Sequence, residues 1–517
     1  MSESPAAADP QVPQGTGGQD VAHAARSGGV QVLTIAAQAL ITVTHVLLAR
    51  LFGRAVFGSY QASLAILEVL TRGSTGGADK GMLRYIAGHR ARGEPDLVRR
   101  ALGTGLRLCL ALSGTTAAIL MIMATPIARI AHEPAMATGL RLMAPAVLLT
   151  GSMWVLVQAS LAAKVTRANF IVRGLGEPAL LLLAGLTAAL VGRSLAHLAL
   201  AHVLATGATL LLAVVVVGRV FGRGELGRAL RSPRLPGFTS YSIPLGLADL
   251  MNAVLQRADI VLLTMFVGTS ATAVYAASEF ITRVIANARY VFDSVAAPVF
   301  SEAIHLNQRD RLRDNLVMMT RWVAFAAAPI AVTVVALRHE LLSLYGPGFQ
   351  EGAVALSVLA LGHLVNATLG LSGWVLTVSG RSRTVLFNNV VAAIANVIMG
   401  LTLIPRFGLV GTAFAALGSV TLLNLLVLVE VWRGQRVHPF NLSVPKPFLA
   451  AAVAFTAELA VGWHISLTAV RVPLVIVLGL ATYLAVFAAL GLAPEDRRLL
   501  AGFGRRIRRL ITGASTG

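Results

Sequence analysis

The chain has 517 residues, of which 56% are hydrophobic and only 13% charged, about half the ~25% charged share of a soluble domain. A soluble fold of this length would lack the polar surface to cover itself. Cys109 is the single cysteine, so a disulfide-stapled chain and a cysteine-based metal site are excluded as well. The net charge of +20, with Lys only at Lys80, Lys164 and Lys446 and Arg everywhere else, points in a polytopic membrane chain to a basic cytoplasmic face rather than to nucleic acid.

A span needs ~20 largely apolar residues to cross ~30 Å of hydrocarbon. Residues 1–26 are rich in Pro, Gly, Ala and Gln and read as a disordered cytoplasmic tail, not a signal peptide. Fourteen helices follow, at 27–49, 59–78, 101–125, 137–163, 168–191, 194–219, 240–267, 271–300, 315–337, 352–378, 383–404, 409–433, 446–468 and 471–492. These runs do not alternate with period two, which excludes a closed barrel. The expected layout is an all-α membrane protein with an N-lobe at 27–219 and a basic inter-lobe loop at 220–239. A C-lobe at 240–433 and two more helices at 446–492 complete it. In the tail at 495–517, Leu499, Phe503, Ile507 and Leu510 share one helical stripe beside six Arg, as in an amphipathic helix on anionic lipid or a plain stop-transfer anchor.

Loop charges set the orientation. The side holding both termini carries 28 Lys and Arg; the other carries seven, at Arg50, Arg54, Arg129, Arg193, Arg338, Arg406 and Arg471. Both termini are therefore expected in the cytoplasm, which requires an even number of spans.

The chain also resembles itself. Residues 47–63 align without gaps to 262–278, with Leu, Leu, Gly, Tyr, Ala and Ser coinciding. Both segments join the first and second helices of a six-helix block, so the two blocks read as parallel repeats around a shared cavity, the layout of an alternating-access transporter.

Eight Arg fall inside spans: Arg72, Arg107, Arg141, Arg173, Arg257, Arg283, Arg289 and Arg321. A charge at the bilayer centre costs at least ~2.5–3.5 kcal/mol, so such groups face a cavity, a partner or the interface. Arg107, Arg141 and Arg321 lie near predicted ends and read as snorkelling. On the eighth helix Glu279, Thr282, Arg283, Arg289, Tyr290 and Asp293 share one face, with Glu279–Arg283 and Arg289–Asp293 as i,i+4 pairs of opposite charge. On the seventh, Asp249, Asn252, Gln256 and Asp259 share a face, and Arg257 points elsewhere, toward a different helix. On the second, Glu68, Arg72, Thr75 and Asp79 form a stripe. These residues either line a cavity or are ion pairs that lock helices together. As a cavity, Arg72, Arg283 and Arg289 suit an anionic head group, because Arg stays ionised and offers a planar fork to phosphate. Moving a dianion outward gains ~4.6 kcal/mol at 100 mV.

Catalytic chemistry is not expected. The sequence has no P-loop, no HExxH, no GxSxG and no Cys/His cluster. His197 and His202, five apart, have no acidic companion at ligand spacing, and His45 and His363 lie within spans, as packed or hydrogen-bonded residues or as proton carriers; neither a metal nor a cofactor is expected.

Residues 365–383 (VNATLGLSGWVLTVSGRSR) and 401–419 (LTLIPRFGLVGTAFAALGS) resemble the tenth to twelfth helices of the Wzx-type polysaccharide-transport flippases of the multidrug/oligosaccharidyl-lipid/polysaccharide (MOP) superfamily. Asn366, Gly370, Gly373, Leu376, Gly380, Arg381, Asn388, Ile404, Pro405, Gly408, Gly411, Ala413 and Ala415 carry that pattern; Thr412 and Trp374 depart from it. YGPGFQEGAVAL (345–356), ARLFGRAVFGSY (49–60) and KGMLRYIA (80–87) resemble further family segments. In this pattern Pro405 is expected to end the eleventh helix after Ile404.

The resemblance implies a multi-pass protein of the bacterial cytoplasmic membrane with MATE-like paired lobes. It would flip a polyprenyl-diphosphate-linked oligosaccharide by alternating access, in contact with membrane lipids and with a polysaccharide polymerase and glycosyltransferases as candidate partners. Competing readings are a lipid II flippase, a MATE-type antiporter, a fourteen-span major facilitator (GADKG at 77–81 loosely matches that family's loop) and a non-transporting scaffold.

Overall fold

The computed structural model describes residues 17–222, 224–464 and 467–491. Every regular element among them is helical, as hydrocarbon requires when each backbone amide must find its partner within its own segment. In chain order the first half comprises α1 (Gly17–Ser74), α2 (Ala78–Ala91), α3 (Pro95–Ile130), α4 (Ala135–Ala162), α5 (Thr166–Asn169), a π-helical turn at Phe170–Gly176, α6 (Glu177–Val191), α7 (Leu195–Phe221) and α8 (Glu225–Arg231). The second half comprises α9 (Phe238–Val267), α10 (Thr269–His305), α11 (Arg309–Ala336), α12 (Arg338–Ser343), a 3-10 turn at Phe349–Gly352, α13 (Ala353–Leu369), α14 (Ser372–Val378) and α15 (Ser382–Gln435). Then come α16 (Pro445–His464) and α17 (Thr468–Ala489).

Nine helices among the described residues are long and apolar enough to cross a membrane, and a tenth if the bent halves of α9 form one span. This is a multi-pass membrane protein. The 37-residue α10 is not among the nine, since Glu279, Arg283, Arg289 and Asp293 interrupt its apolar run. Two of the nine are 38 and 53 residues long. At ~1.5 Å per residue the longer would reach ~80 Å, far beyond a ~30 Å core. Both break at a glycine: Gly53 in α1 (φ 78°, ψ 167°) and Gly408 in α15 (φ 54°, ψ −128°). Other residues rarely adopt such conformations. The break near 405 thus falls at Gly408 and not at the expected Pro405, which stays inside α15. Gly268, the residue aligned with Gly53 in the internal repeat, has nearly the same backbone (φ 106°, ψ 173°).

Other boundaries differ from the sequence reading. Helix α1 already begins at Gly17, so residues 17–26 of the expected tail are helical; residues 1–16 lie outside the described residues, and so does the expected amphipathic helix at 495–517. The stretch 79–100, expected as a loop, holds α2, and the 220–239 loop holds α8. Glu225 of α8 accepts from Arg99 Nε (2.8 Å) and Arg228 Nη1 (2.6 Å), bonds that hold its carboxyl below the usual range. The tenth expected helix is split into α13 and α14 around Gly370 and Leu371.

One apolar core runs through both halves, from Phe57, Tyr60, Leu67, Met143 and Val147 to Val274, Leu342, Tyr345 and Phe349. A second, around Met82, Ile86, Cys109 and Phe238, seats α2 and α8. Helices α16 and α17 pack on α11 through Ala328, Ala450, Ala454, Tyr483 and Phe487, and Tyr483 Oη donates to Phe325 O (2.9 Å). Arg107 donates to Leu230 O (2.6 Å), Arg141 to Thr125 Oγ1 (2.7 Å) and Arg321 to Ser443 Oγ (2.9 Å). All three are thus hydrogen-bonded within the protein, and Arg321 is buried, where snorkelling would leave it in the interface.

The halves touch backbone to backbone at two glycine sites. A Cβ on Gly58 would collide with Thr269 O, and one on Gly77 with Ser242 O and Gly246 N. Gly58 is helical, so its substitution tests the close approach without a backbone penalty. Gly58→Ala is expected to destabilise the protein by about 1–3 kcal/mol, seen as a lower Tm in detergent. Gly88→Ala, whose Cβ meets nothing within 4 Å, should leave the Tm in place.

Candidate functional site

Between the halves lies a cavity of ≈ 580 Å³ walled by α1, the π-helical turn, α6, α7, α9 and α10. Its polar wall is a chain of alternating charges. Arg257 Nε donates to Glu68 Oε2 (2.6 Å), Arg257 Nη1 lies 3.6 Å from Glu279 Oε2, and Arg283 Nη2 donates to Glu279 Oε1 (2.6 Å). Glu68 belongs to the first half and the other three to the second. Each guanidinium is thereby neutralised inside a region where an uncompensated charge is costly. Beside this chain Tyr275 Oη donates to Asp259 Oδ2 (2.6 Å), and Asp259 Oδ1 accepts the amide of Ile260 (2.8 Å). Tyr275 aligns with Tyr60 in the repeat, and Tyr60 Oη lies 3.0 Å from His202 Nδ1.

Only part of the expected residue set meets here. Glu68, Glu279 and Arg283 line the cavity, as does Arg257, which the sequence reading turned toward another helix. The spacing of Glu68 and Arg72 suggested a pair, but Glu68 is taken by Arg257. Arg72 instead stacks over the Trp154 ring, 4.0 Å from its centroid. Thr282 is buried and donates to Ser278 O (2.8 Å), so it does not face the cavity. Asn252 and Gln256 are exposed away from it. Asp249 lies eleven residues into α9, 3.5 Å from Lys80 Nζ. The expected face of α9 therefore does not serve this cavity as a whole: Arg257 and Ile260 line it, and Asp249 is held by Lys80 instead.

Arg289 and Asp293 line a separate pocket of ≈ 410 Å³ among α10, α13, α14 and α15. Arg289 Nε is 3.4 Å from Asp293 Oδ2, Arg289 Nη1 donates to Asn366 O (3.2 Å), and Trp374 Nε1 donates to Asp293 Oδ1 (2.9 Å). A Cβ on Gly370 would strike Arg289 Nη1, so Asn366 and Gly370 of the sequence pattern, with Trp374 that departs from it, form the seat of this ion pair.

The sequence reading missed several wall residues. His45 stacks on Phe280 (centroids 3.9 Å apart), its Nδ1 2.8 Å from Ile41 O. Arg173 and Glu177 enter from the π-helical turn and α6. Arg173 was visible as an in-span arginine, but nothing in a periodicity of 3.6 announces the π-helical turn that aims it.

At one end of the bundle the halves are latched by polar contacts. Arg50 donates to Ser343 O (3.1 Å), and Arg54 to Ser270 O (3.0 Å), Gly348 O (3.2 Å) and Glu351 Oε2 (2.7 Å). Glu133 Oε1 accepts from Thr269 N (2.9 Å) and Thr269 Oγ1 (3.1 Å). Glu340 and Arg471 pair near the same end.

A family model described as polysaccharide biosynthesis protein matches residues 47–354. The probable flippase AglR of Haloferax volcanii is 26% identical over 246 residues, 46% of this chain and 51% of that protein. The chain thus spans about half the length of the curated relative it matches. The solved lipid II flippase MurJ, in its inward closed conformation, superposes with a TM-score of 0.72 at 12% identity, over 91% of this chain and 99% of that one. An inward-facing multidrug resistance MATE family transporter of the MOP superfamily superposes with 0.64 at 12% identity, over 78% and 98%. At such identity the likeness is one of fold.

The Glu68–Arg257 contact should be measurable as a coupling. In a double-mutant cycle of Glu68→Gln and Arg257→Gln, read by unfolding in detergent, the pair is expected to couple by about 1 kcal/mol. The value lies low in the usual range because the Glu68 side chain is 36% exposed. Strictly additive single effects would make the contact incidental.

Proposed function

Since this chain belongs to the polysaccharide biosynthesis protein family, we propose that it is a flippase carrying a polyprenyl-diphosphate-linked oligosaccharide across the cytoplasmic membrane by alternating access. The proposal includes fourteen spans, two six-helix lobes meeting at the cavity, two added helices and cytoplasmic termini. Fourteen follows if α1 and α15 each cross twice, turning at Gly53 and Gly408, and α10 and α16 each cross once. The positive-inside distribution supports the orientation.

One observation carries the reading: the charge chain between the halves has a link that can open without leaving a bare cation. Arg257 is shared between Glu68 across the gap and Glu279 on its own side. When the lobes part, Arg257 keeps Glu279, and Glu68 meets water entering the cavity. A dry scaffold has no use for such a shared partner. The cavity can admit the polar head group while the prenyl chain stays in lipid, which removes the need to desolvate both parts together. At the latch, Arg50 and Arg54 hold mostly backbone carbonyls, for which water is a fair substitute, so opening that end costs little net hydrogen bonding.

Two outcomes follow. In proteoliposomes loaded with a polyprenyl-diphosphate-linked oligosaccharide, with a membrane-impermeant glycosidase reading the outer leaflet, Arg257→Gln and Arg283→Gln should each slow flipping by on the order of 10–100-fold, with folded yield retained. Wild-type rates in both would remove the charge chain from the mechanism. In a Cys109→Ala background, bridging Arg54→Cys to Glu351→Cys with a bifunctional thiol reagent should stop flipping, and cleaving the bridge should restore it. Transport that continues through the cross-link would show that this end need not open.

A further inference from the structure

Apart from the neutralised chain, two guanidinium groups share one indole. Arg72 Cζ stands 4.0 Å and Arg173 Cζ 5.4 Å from the centroid of the Trp154 ring. Among the described residues no carboxylate lies within ion-pair distance of either. Glu177, four residues after Arg173 and also on the cavity wall, makes no ion pair with it. Two donors at the cluster are buried without a partner, Arg173 Nε and Trp154 Nε1. Glu177 offsets part of the repulsion at Arg173 from a distance, but like charges brought together repel and an unbonded buried donor is costly, so an acceptor of negative charge between them would stabilise the arrangement.

The backbone at Arg173 is itself unusual. Phe170–Gly176 is π-helical, and the Glu177 amide donates to Val172 O, five residues back. The extra residue in this turn rotates Arg173 out of the register that an α-helix would give it. Such insertions cost backbone geometry and occur often at functional sites. Arg173 lines the inter-half cavity, and all three side chains are partly exposed, so a ligand can reach them. Arg72 lies two residues from the end of α1, and Trp154 and Arg173 eight and seven residues from the nearby ends of α4 and α5, which places the cluster toward the Lys80 end of the bundle, away from the latch.

We propose that Arg72, Trp154 and Arg173 form a receptor for a phosphate-type oxyanion, where a diphosphate docks before it reaches the charge chain of Glu68, Arg257, Glu279 and Arg283. The planar guanidinium groups supply forked donors and the indole Nε1–H a third direction. The ring face holds both cations in place while the site is empty. The inference rests on the flippase reading only in taking the head group of the lipid-linked glycan as the source of that diphosphate; free inorganic diphosphate presents the same chemistry.

The test uses the purified full chain in detergent, with inorganic diphosphate and a short-chain polyprenyl diphosphate as separate probes in titration calorimetry. The Trp emission change on binding serves as a second readout. Wild type should bind, and Arg72→Gln with Arg173→Gln should weaken binding at least tenfold. Arg72→Lys with Arg173→Lys, which keeps the charge but loses the fork, should fall between them. Trp154→Phe should abolish the emission change, and Arg141→Gln should bind as wild type. Melting curves establish that each variant is folded, and the Lys pair tests the proposal if the Gln pair fails to fold. Loss confined to the lipid-linked probe supports the site with the head group as its ligand; loss confined to the inorganic probe supports it with free diphosphate. Unchanged affinity for both probes in the folded variants overturns it. The flippase reading fails separately, if wild type flips no glycan while diphosphate binding still depends on Arg72 and Arg173. Undiminished flipping by the Gln pair overturns the docking site and leaves that reading intact.

Discussion

A charged side chain between apolar helices has to find its counter-charge inside the protein, because hydrocarbon offers neither water nor ions. The inter-half surface is organised around that requirement. Glu68, Arg257, Glu279 and Arg283 neutralise one another in sequence, and the helices that carry them, α1, α9 and α10, meet where the chain of charges runs. Arg289 and Asp293 solve the same problem locally, with Asn366 and Trp374 completing their shell. Arg72 and Arg173 share an aromatic face, which moderates the cost of burial without removing the charge, and Glu177 acts on Arg173 from beyond ion-pair distance.

The same requirement separates what is rigid from what can move. Within the first half, α3, α4 and α7 bury Met143, Val147, Leu198 and their neighbours completely, and such packing resists rearrangement. Across the halves an apolar core joins Phe57 and Tyr60 to Val274, Tyr345 and Phe349, and contacts of two further kinds lie beside it. Close glycine approaches at Gly58 and at Gly77–Gly246 bring backbones together with little side-chain interlock. The Arg50 and Arg54 contacts and the Lys80–Asp249 pair are polar and partly exposed, so water can replace each partner at small net cost. The glycine approaches and polar pairs are the parts of this joint that water can replace, whereas the Phe57–Phe349 core has to separate or move as a unit.

The glycines also define where the chain turns. Gly53 and Gly268 take nearly the same left-sided backbone at equivalent places in the two halves, and the tyrosines seven residues on, Tyr60 and Tyr275, are both buried with their hydroxyls bonded to an ionisable side chain. The repeat therefore preserves a turn and a hydrogen-bonded tyrosine while the partner changes from His202 to Asp259.

Composition and apolar run length by themselves determined that this is a helical multi-pass membrane chain, since no other secondary structure satisfies its backbone over such runs. The motifs around Asn366, Gly370, Gly408 and Gly411 carried the resemblance to the family, and in this chain they mark a helix break and close approaches. Helical periodicity put Glu279 with Arg283 and Arg289 with Asp293, both i,i+4 neighbours, since that geometry is local. It could not choose between Arg72 and Arg257 as the partner of Glu68, nor separate Arg283 from Arg289 into two pockets. Both depend on how α1, α9, α13 and α15 lie against α10, which no single helix encodes. Pro405 was the stronger sequence signal for a break than Gly408, yet a proline disturbs only the turn before it, whereas a glycine can reverse the backbone. The π-helical turn that aims Arg173 and the indole shared by Arg72 and Arg173 were decided by tertiary structure alone, because an added residue per turn and a contact between three helices leave no periodic trace in the chain.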